Sequence, residues 1–490
     1  MAKMAVSALH AAAVDGTIWL LWVILNVLDA FLVALRKIAS FADVITTSTD
    51  ATCCDHANNS SNNDDSAGPA RIVIVGASFA GLGAYRDLLL RHKASDEIEV
   101  TVIDYKDYFE YTPGILRAFV EPNHLSSLTC PLSALNKNKK GASRFVQGEV
   151  IGVDATTQVV ALNDGNQIPY DYLIVATGST YPGPIKATTS QSTLAQRQLS
   201  INQSARDIDA ANTIIIIGGG AVGVELAAEL VDKYRDRQKR VIIIDVAPTI
   251  LPGFRQHSVD YALRWLEDNG VELRLDTSFD RIDDASVTLS DGSKIFADVI
   301  FKCFGVAPAT ASKYGGRLLS DAQDGPKGSI VVNNHLQVKG QENIFAAGDV
   351  CFHSESAELK LAHTAHVNAS LVALNVLRLV RAAKNGTESG SHGHDGLLSY
   401  PDGLFGNEQT PKIYNVSLGK YDASLGFNTL VMNGPLPAVV KWLIEWTQVA
   451  AAANRPIGLV FWVVADWTSF FLGRTILPMT ETAARSKKAQ

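Results

Sequence analysis

Residues 213–225 read TIIIIGGGAVGVE, and the order of residue types in this stretch decides the fold. Thr213 and the isoleucines to Ile217 form a short β-branched run, the composition of a strand buried on both faces of a parallel sheet. Gly218, Gly220 and Gly223 follow at the spacing of a dinucleotide-binding turn. The first permits a tight turn, the second lets backbone approach a pyrophosphate, and the third lets the next helix pack closely on its strand. The pyrophosphate then sits at a helix N-terminus, where free N–H groups and the helix dipole favour an anion. A second strand, VIIID, ends in Asp245. An acid there accepts hydrogen bonds from a ribose 2′-OH and repels a 2′-phosphate. Val246, Ala247 and Pro248 bring no arginine to offset it, so NADH is expected rather than NADPH.

Upstream, the pattern recurs. RIVIV at 71–75 leads into Gly76-Ala-Ser78-Phe-Ala-Gly81, a helical run to about His92, and the strand VTVID ending in Asp104. Ser78 stands where the middle glycine usually is, so its side chain either points away from a phosphate or donates to it. One glycine turn is weak evidence. Two, each after a strand, before a helix and followed by a terminal acid, define an α/β chain with two Rossmann-type dinucleotide-binding domains.

At 490 residues there is room for about three domains. Hydrophobic residues are 47% and charged ones 19%, which describes a globular chain with a large core. Lys and Arg number 43 against 50 Asp and Glu, and no long basic stripe is present, so nucleic acid is not an expected partner. Five cysteines cannot staple a chain this long.

The apolar excess sits at the ends. Ile18–Leu35 reads IWLLWVILNVLDAFLVAL, roughly 27 Å as a helix, just enough to cross a hydrocarbon core. Asn26 and Asp29 interrupt it on one face, and an aspartate at mid-bilayer costs about 2.5–3.5 kcal/mol. The segment is either a marginal transmembrane anchor or a helix in the interface; a cleaved signal ending near Ala42 and a core helix are the other readings. Arg36 and Lys37, against Lys3, place the body on the cytosolic side. Residues 43–69 are a polar tether, in which Cys53 and Cys54 are exposed spectators or acylation sites. No glycine follows Met1, so N-myristoylation is not expected. Pro437–Ala453 carries apolar residues at helical spacing, and Ile457–Leu472 is apolar and aromatic throughout. Six of the seven tryptophans (Trp19, Trp22, Trp442, Trp446, Trp462 and Trp467) lie in these end segments. Tryptophan favours the membrane–water interface, so the ends touch a membrane or else pack on the body or on a second copy in a homodimer.

Three further motifs carry a family resemblance: Leu173-Ile-Val-Ala-Thr177-Gly178, Phe304-Gly305-Val-Ala-Pro308 and Asn343-Ile-Phe-Ala-Ala-Gly348-Asp349. With the two glycine turns, residues 70 to about 432 resemble the two-dinucleotide-binding flavoprotein oxidoreductases. Within these they look like type II NADH dehydrogenases and apoptosis-inducing-factor-like proteins of the ferroptosis suppressor type. The resemblance implies a glutathione-reductase-like architecture, with FAD in the first unit and NADH in the second. Thr177 and Gly178 would lie beside the flavin, and Gly348 and Asp349 at its ribityl or phosphate end. Gly305 would lie next to the nicotinamide, with Phe304 where the family carries Thr. Tyr105–Arg117 would run beneath the flavin. The implied layout is a hydrophobic membrane segment (1–42), a linker (43–69), an FAD domain in two parts (70–189 and 327–385) around an NADH domain (190–326), and a C-terminal domain with Trp-rich membrane-contacting helices (386–490).

Hydride transfer asks mainly that the nicotinamide stack on the flavin at about 3–3.5 Å with water excluded. The residues then bear on where the electrons go next. Disulfide reductases of this type carry paired cysteines soon after the first unit; here Cys130 stands alone, and Cys303 and Cys351 read as buried packing residues. Without a thiol relay the acceptor must diffuse in, and the amphiphilic ends point to a membrane quinone. By resemblance Glu225 lies near the flavin–nicotinamide junction, where it orients the nicotinamide or relays protons; otherwise it caps its helix. Lys360, His363 and His366 (KLAHTAH) align with the region covering the flavin. Lys360 is expected to stabilise reduced flavin, and a histidine titrating near neutrality to donate a proton to the quinone, unless both histidines are merely exposed helix residues. No metal site is evident, and His392 and His394 read as solvated. The expected activity is a membrane-associated, non-pumping FAD-dependent NADH:quinone oxidoreductase. The alternatives are another electron acceptor, or a slow redox sensor acting through partner binding. A dilysine pattern at Lys487-Lys488 points to the endoplasmic reticulum, and the dehydrogenase resemblance to mitochondria.

Overall fold

A computed structural model describes residues 11–33, 68–137, 142–237, 239–309, 325–354, 360–385, 396–401 and 411–475. Cys53 and Cys54 with most of the tether, Arg36, Lys37, His392, His394 and the dilysine tail lie outside the described residues.

The first described element is helix α1 (Ala11–Val33), which buries Val14 and Asp29 against the body. The strand Ala70–Val75 then enters the middle of a five-stranded sheet. It pairs in parallel with Ile98–Asp104 on one side and Tyr172–Val175 on the other. Ala142–Gln147 and Ile344–Ala346 close the two edges, also in parallel. One sheet thus joins strands some 170 residues apart, Ile344 pairing with Leu173. Ile72 and Ile74 are fully buried, as a strand covered on both faces requires. Helix α2 (Phe79–Arg91) leaves the first glycine turn.

The second unit repeats the plan with four parallel strands in the order Glu272–Arg274, Arg240–Ile244, Thr213–Ile217 and Val299–Lys302. The isoleucines at 214–217 are at most 1% exposed, each worth about 1.5–3 kcal/mol of burial. Helix α3 (Ala221–Lys233) starts at its glycine turn. The link between units is the helix Leu194–Ala210, opened by a reciprocal Thr193/Gln196 capping box. Its Arg197 is fully buried and donates to both Glu110 oxygens, at 2.7 and 3.2 Å, and to the carbonyls of Pro184 and Ile185.

Helix α4 (Ala362–Lys384) returns to the first unit and lies along α2. The approach is close because Gly83 has no side chain; a Cβ there would meet His366 Nδ1 at 3.0 Å and Ala369 Cβ at 3.1 Å. Arg381 pins the far end of α4 to Asp96 at 2.7 Å. A three-stranded antiparallel sheet (Ile413–Ser417, Ala423–Phe427, Leu430–Gly434) follows. Two helices end the described chain, α5 (Pro435–Ala452) and α6 (Pro456–Thr475), turning on each other by 119°.

Candidate active site

The glycines of the two turns divide by what surrounds them. A Cβ on Gly76 (φ +104°) would sit 2.3 Å from the Ala176 carbonyl oxygen, and one on Gly81 only 1.7 Å from that of Gly76. Gly218 (φ +113°) and Gly223 are as confined, at 2.8 Å from Cys303 O and 1.9 Å from Gly218 O. These four exist to let backbone meet backbone. Gly220 is different: its Cβ would meet nothing within 4 Å. The space before it is open at the N-terminus of α3, where an anion is favoured. Ser78 holds the matching place before α2, in extended conformation and with its hydroxyl making no capping bond.

The two terminal acids share one geometry. Asp104 accepts from the N–H groups of Ala77 (2.7 Å) and Lys106 (2.9 Å). Asp245 accepts from Gly219 and, at 2.7 Å, from Ala247. Each carboxylate therefore ties its glycine turn to its strand end, a role that sequence reasoning did not assign. Carboxylate oxygens have about four lone-pair sites between them, so capacity for a ribose hydroxyl remains.

Around the first turn the late motifs converge. A Cβ on Gly348 (φ +81°) would lie 3.1 Å from Ala80 Cβ, so this loop packs on the start of α2. Asp349 accepts from Ser179 Oγ at 2.6 Å, and Lys186 Nζ lies 3.7 Å from the same oxygen. Burial pulls the Lys186 ammonium below the usual lysine range. No motif flagged Lys186. Gly178 (φ +73°) precedes this knot, and Thr177 Oγ1 is buried with no hydrogen-bond partner. Such an orphan costs about 1–3 kcal/mol, which a ligand in the site would relieve. Ala307 and Pro308 pair with Thr180 and Ser179, bringing the Gly305 turn of the second unit beside Gly178 of the first. Lys360 Nζ donates to Cys351 O at 2.6 Å and lies 3.5 Å from Gly348 O, fixing its charge on the Gly348–Asp349 turn.

The histidines of α4 depart from expectation. Burial pushes His363 down to about 4, so at neutral pH it is an uncharged imidazole and not a titrating one. His366 is 6% exposed, not a solvated helix residue. It lies 2.9 Å from Asp466 of α6 and also contacts Arg86 of α2, latching α6 to the first unit.

Glu225 does not cap α3. Its Oε1 accepts from Ser417 N–H (2.8 Å), Ser417 Oγ (3.0 Å) and Lys441 Nζ (2.6 Å). The next turn of α3 carries Glu229, paired with Arg117 at 2.9 Å. Glu445 of α5 sits against Gly114, whose Cβ would lie 2.6 Å from its Oε2, with His124 Nε2 3.1 Å from Oε1. So α5 brings Lys441 and Glu445 to the segment 105–117 and to α3, neither of which sequence reasoning singled out. Lys360 lies by contrast on the Gly348 turn. The Cys130 and Cys303 thiols are pushed by burial up to about 12, so both are protonated and inert at neutral pH. Among the described residues no His, Cys, Asp and Glu cluster could hold a metal.

Residues 70–369 match the family described as pyridine nucleotide-disulphide oxidoreductase, and the chain belongs to that family. Human ferroptosis suppressor protein 1 is 28% identical over 332 residues, 64% of this chain and 82% of that protein. Two solved structures share the fold. Sulfide:quinone oxidoreductase from Aquifex aeolicus has a TM-score of 0.63 at 17% identity, covering 84% of this chain and 96% of its own. NDH2 from Plasmodium falciparum in complex with NADH has a TM-score of 0.59 at 15% identity, covering 84% and 99%. The chain is thus a flavin-dependent NAD(P)H oxidoreductase, with FAD and a nicotinamide nucleotide as cofactors. The residues present fit them: an open gap at Gly220, two helix N-termini behind glycine turns, and an orphaned buried hydroxyl at Thr177.

Proposed function

We propose that the protein is an NADH:quinone oxidoreductase working at a membrane surface without proton pumping. In this reading Gly76, Ser78, Gly81 and Asp104, with Thr177, Gly178, Gly348 and Asp349, hold FAD. Gly218, Gly220, Gly223, Asp245 and Gly305 hold NADH. Bound FAD supplies a carrier able to take two electrons from a nicotinamide and release them to a second acceptor. Glu225, clamped by Lys441 and Ser417, orients the nicotinamide end. Lys360 supplies fixed positive charge at the Gly348 turn. His363, uncharged, serves as a hydrogen-bond partner to a quinone oxygen and not as an imidazolium acid.

One observation carries the choice of acceptor. Helices α5 and α6 give the body Lys441, Glu445 and Asp466. On its outer side α6 exposes Val460, Val464, Trp467 and Phe471. The elements that touch the candidate site thus also carry a contiguous apolar surface, which suits a lipid-dissolved acceptor better than a protein or a thiol. Among the described residues Cys130 and Cys303 are buried and protonated, which does not suit a dithiol relay.

The test is NADH oxidation by the detergent-purified protein with short-chain ubiquinone, with ferricyanide and with NADPH as comparisons. Turnover of several per second with NADH and quinone supports the reading. Flavin that NADH reduces but that ubiquinone, menaquinone analogues and ferricyanide reoxidise only over minutes would favour a redox sensor.

A further inference from the structure

Helix α1 is amphipathic in the inverted sense. Asp15, Asn26 and Asp29 share one stripe, and each pairs with the body. Asp29 accepts from Arg455 Nε at 2.8 Å and from the Ile457 backbone N–H at 3.1 Å, capping the first turn of α6 from another helix. Asn26 Oδ1 accepts from Arg455 Nη2 at 3.0 Å. Near the other end, Asp15 accepts from Tyr421 Oη at 2.9 Å, with Lys420 Nζ 3.4 Å away. The opposite face is apolar: Leu20, Ile24, Val27, Leu28 and Phe31 are 44–64% exposed, and Trp19 (65%) and Trp22 (48%) border the polar stripe with their rings still open.

We propose that α1 does not cross a bilayer but lies in its surface, clamped through Asp29 and Asn26 to Arg455, so that α1 and α6 offer one apolar face to lipid. The inference rests on the reading that the protein works at a membrane. Spanning would pull Asp15 and Asp29 from their cationic partners at opposite ends of the helix and carry a carboxylate into hydrocarbon. Docked, each polar group of α1 stays paired while the apolar face leaves water. The occupant is a lipid surface and not a second copy, on grounds of charge. The chain is acidic overall at −7, yet Lys3, Arg36 and Lys37 flank α1, and Arg474, Arg485, Lys487 and Lys488 close and follow α6. In the sequence, basic residues thus border both apolar helices, a pattern that matches anionic headgroups over acyl chains.

The experiment uses the full chain carrying Cys53→Ser, Cys54→Ser and Ser7→Cys, synthesised in vitro with sealed microsomes. A membrane-impermeant maleimide is added outside, and the same chain without Ser7→Cys is the background. The expected result is co-flotation with the microsomes and labelling at position 7 as complete as in detergent. Flotation with position 7 protected until the membrane is permeabilised would overturn the in-plane helix and leave the membrane reading standing. Failure to float would overturn both. In phosphatidylcholine/phosphatidylglycerol vesicles with brominated acyl chains, tryptophan emission should be quenched, and Trp19→Phe with Trp22→Phe should remove a large part of that quenching. Vesicle-bound protein whose quenching ignores this double substitution would place α1 against protein, a second copy included, and overturn the proposal.

Discussion

Gly220→Ala tests the nucleotide assignment with unusual separation of effects. At φ −70° and ψ −176° any L-residue fits the backbone, and the added methyl meets no protein atom within 4 Å. Folding should therefore be nearly unchanged, within about 0.5 kcal/mol, as for substitutions that disturb no contact. If the gap before Gly220 is where a pyrophosphate approaches backbone, the methyl occupies the closest approach and displaces the nucleotide by roughly 1 Å, enough to cost about 10²-fold in kcat/KM. That corresponds to about 2.7 kcal/mol of lost transition-state binding. Gly223→Ala is the control of opposite kind: its methyl would lie 1.9 Å from Gly218 O, so the chain should fail to fold. The assay pairs a thermal melt, followed by flavin fluorescence, with NADH–ferricyanide kinetics. A Gly220→Ala protein with unchanged melting and unchanged kcat/KM for NADH would refute the placement of the nucleotide.

Three further outcomes follow from the same geometry. Lys441→Met leaves Glu225 buried with only the Ser417 hydrogen bonds to satisfy it and no cation beside it, and since breaking a buried pair costs about 3–5 kcal/mol, a loss of roughly 2–4 kcal/mol is expected here; adding Glu225→Gln should restore most of the melting temperature, and a double variant no more stable than Lys441→Met would show that the pair is not coupled. Asp245→Ser should raise the NADPH/NADH ratio of kcat/KM by more than tenfold, and an unchanged ratio would remove Asp245 from the ribose site. His363 has a folded pKa of about 4 against an ordinary 6.5, so the unfolded chain binds more protons between those values, and its contribution to stability is complete above pH 6.5 and is lost as pH falls towards 4. Wild-type melting should therefore fall more steeply over that window than that of His363→Gln, and parallel curves would contradict the neutral imidazole.

The readable parts of this molecule are those whose signal is local. Both glycine turns, their strands and their acids lie within short windows, and the backbone crowding at Gly76, Gly81, Gly218 and Gly223 leaves no other residue type. The site partners that went unread are supplied from far along the chain: Lys441 reaches Glu225 across 216 positions, and Arg455 reaches Asp29 across 426. No periodicity announces such pairs, because each member sits in an ordinary helical context. Asp29 illustrates what sequence alone leaves out. Read alone it is a break in an apolar helix; in the fold it accepts from Arg455 Nε and from the Ile457 N–H. His363 misled for a related reason, since its pKa depends on what buries it and not on its neighbours in sequence.

The carboxylates of Asp104 and Asp245 hold their glycine turns by bonds wholly within the protein, from the N–H groups of Ala77 and Gly219. A nucleotide arriving at either turn finds the phosphate-facing backbone already shaped, and one leaving does not let it collapse. For an enzyme that must exchange its nicotinamide nucleotide at every turnover, such a seat means that the backbone facing the phosphates need not be rebuilt at each exchange.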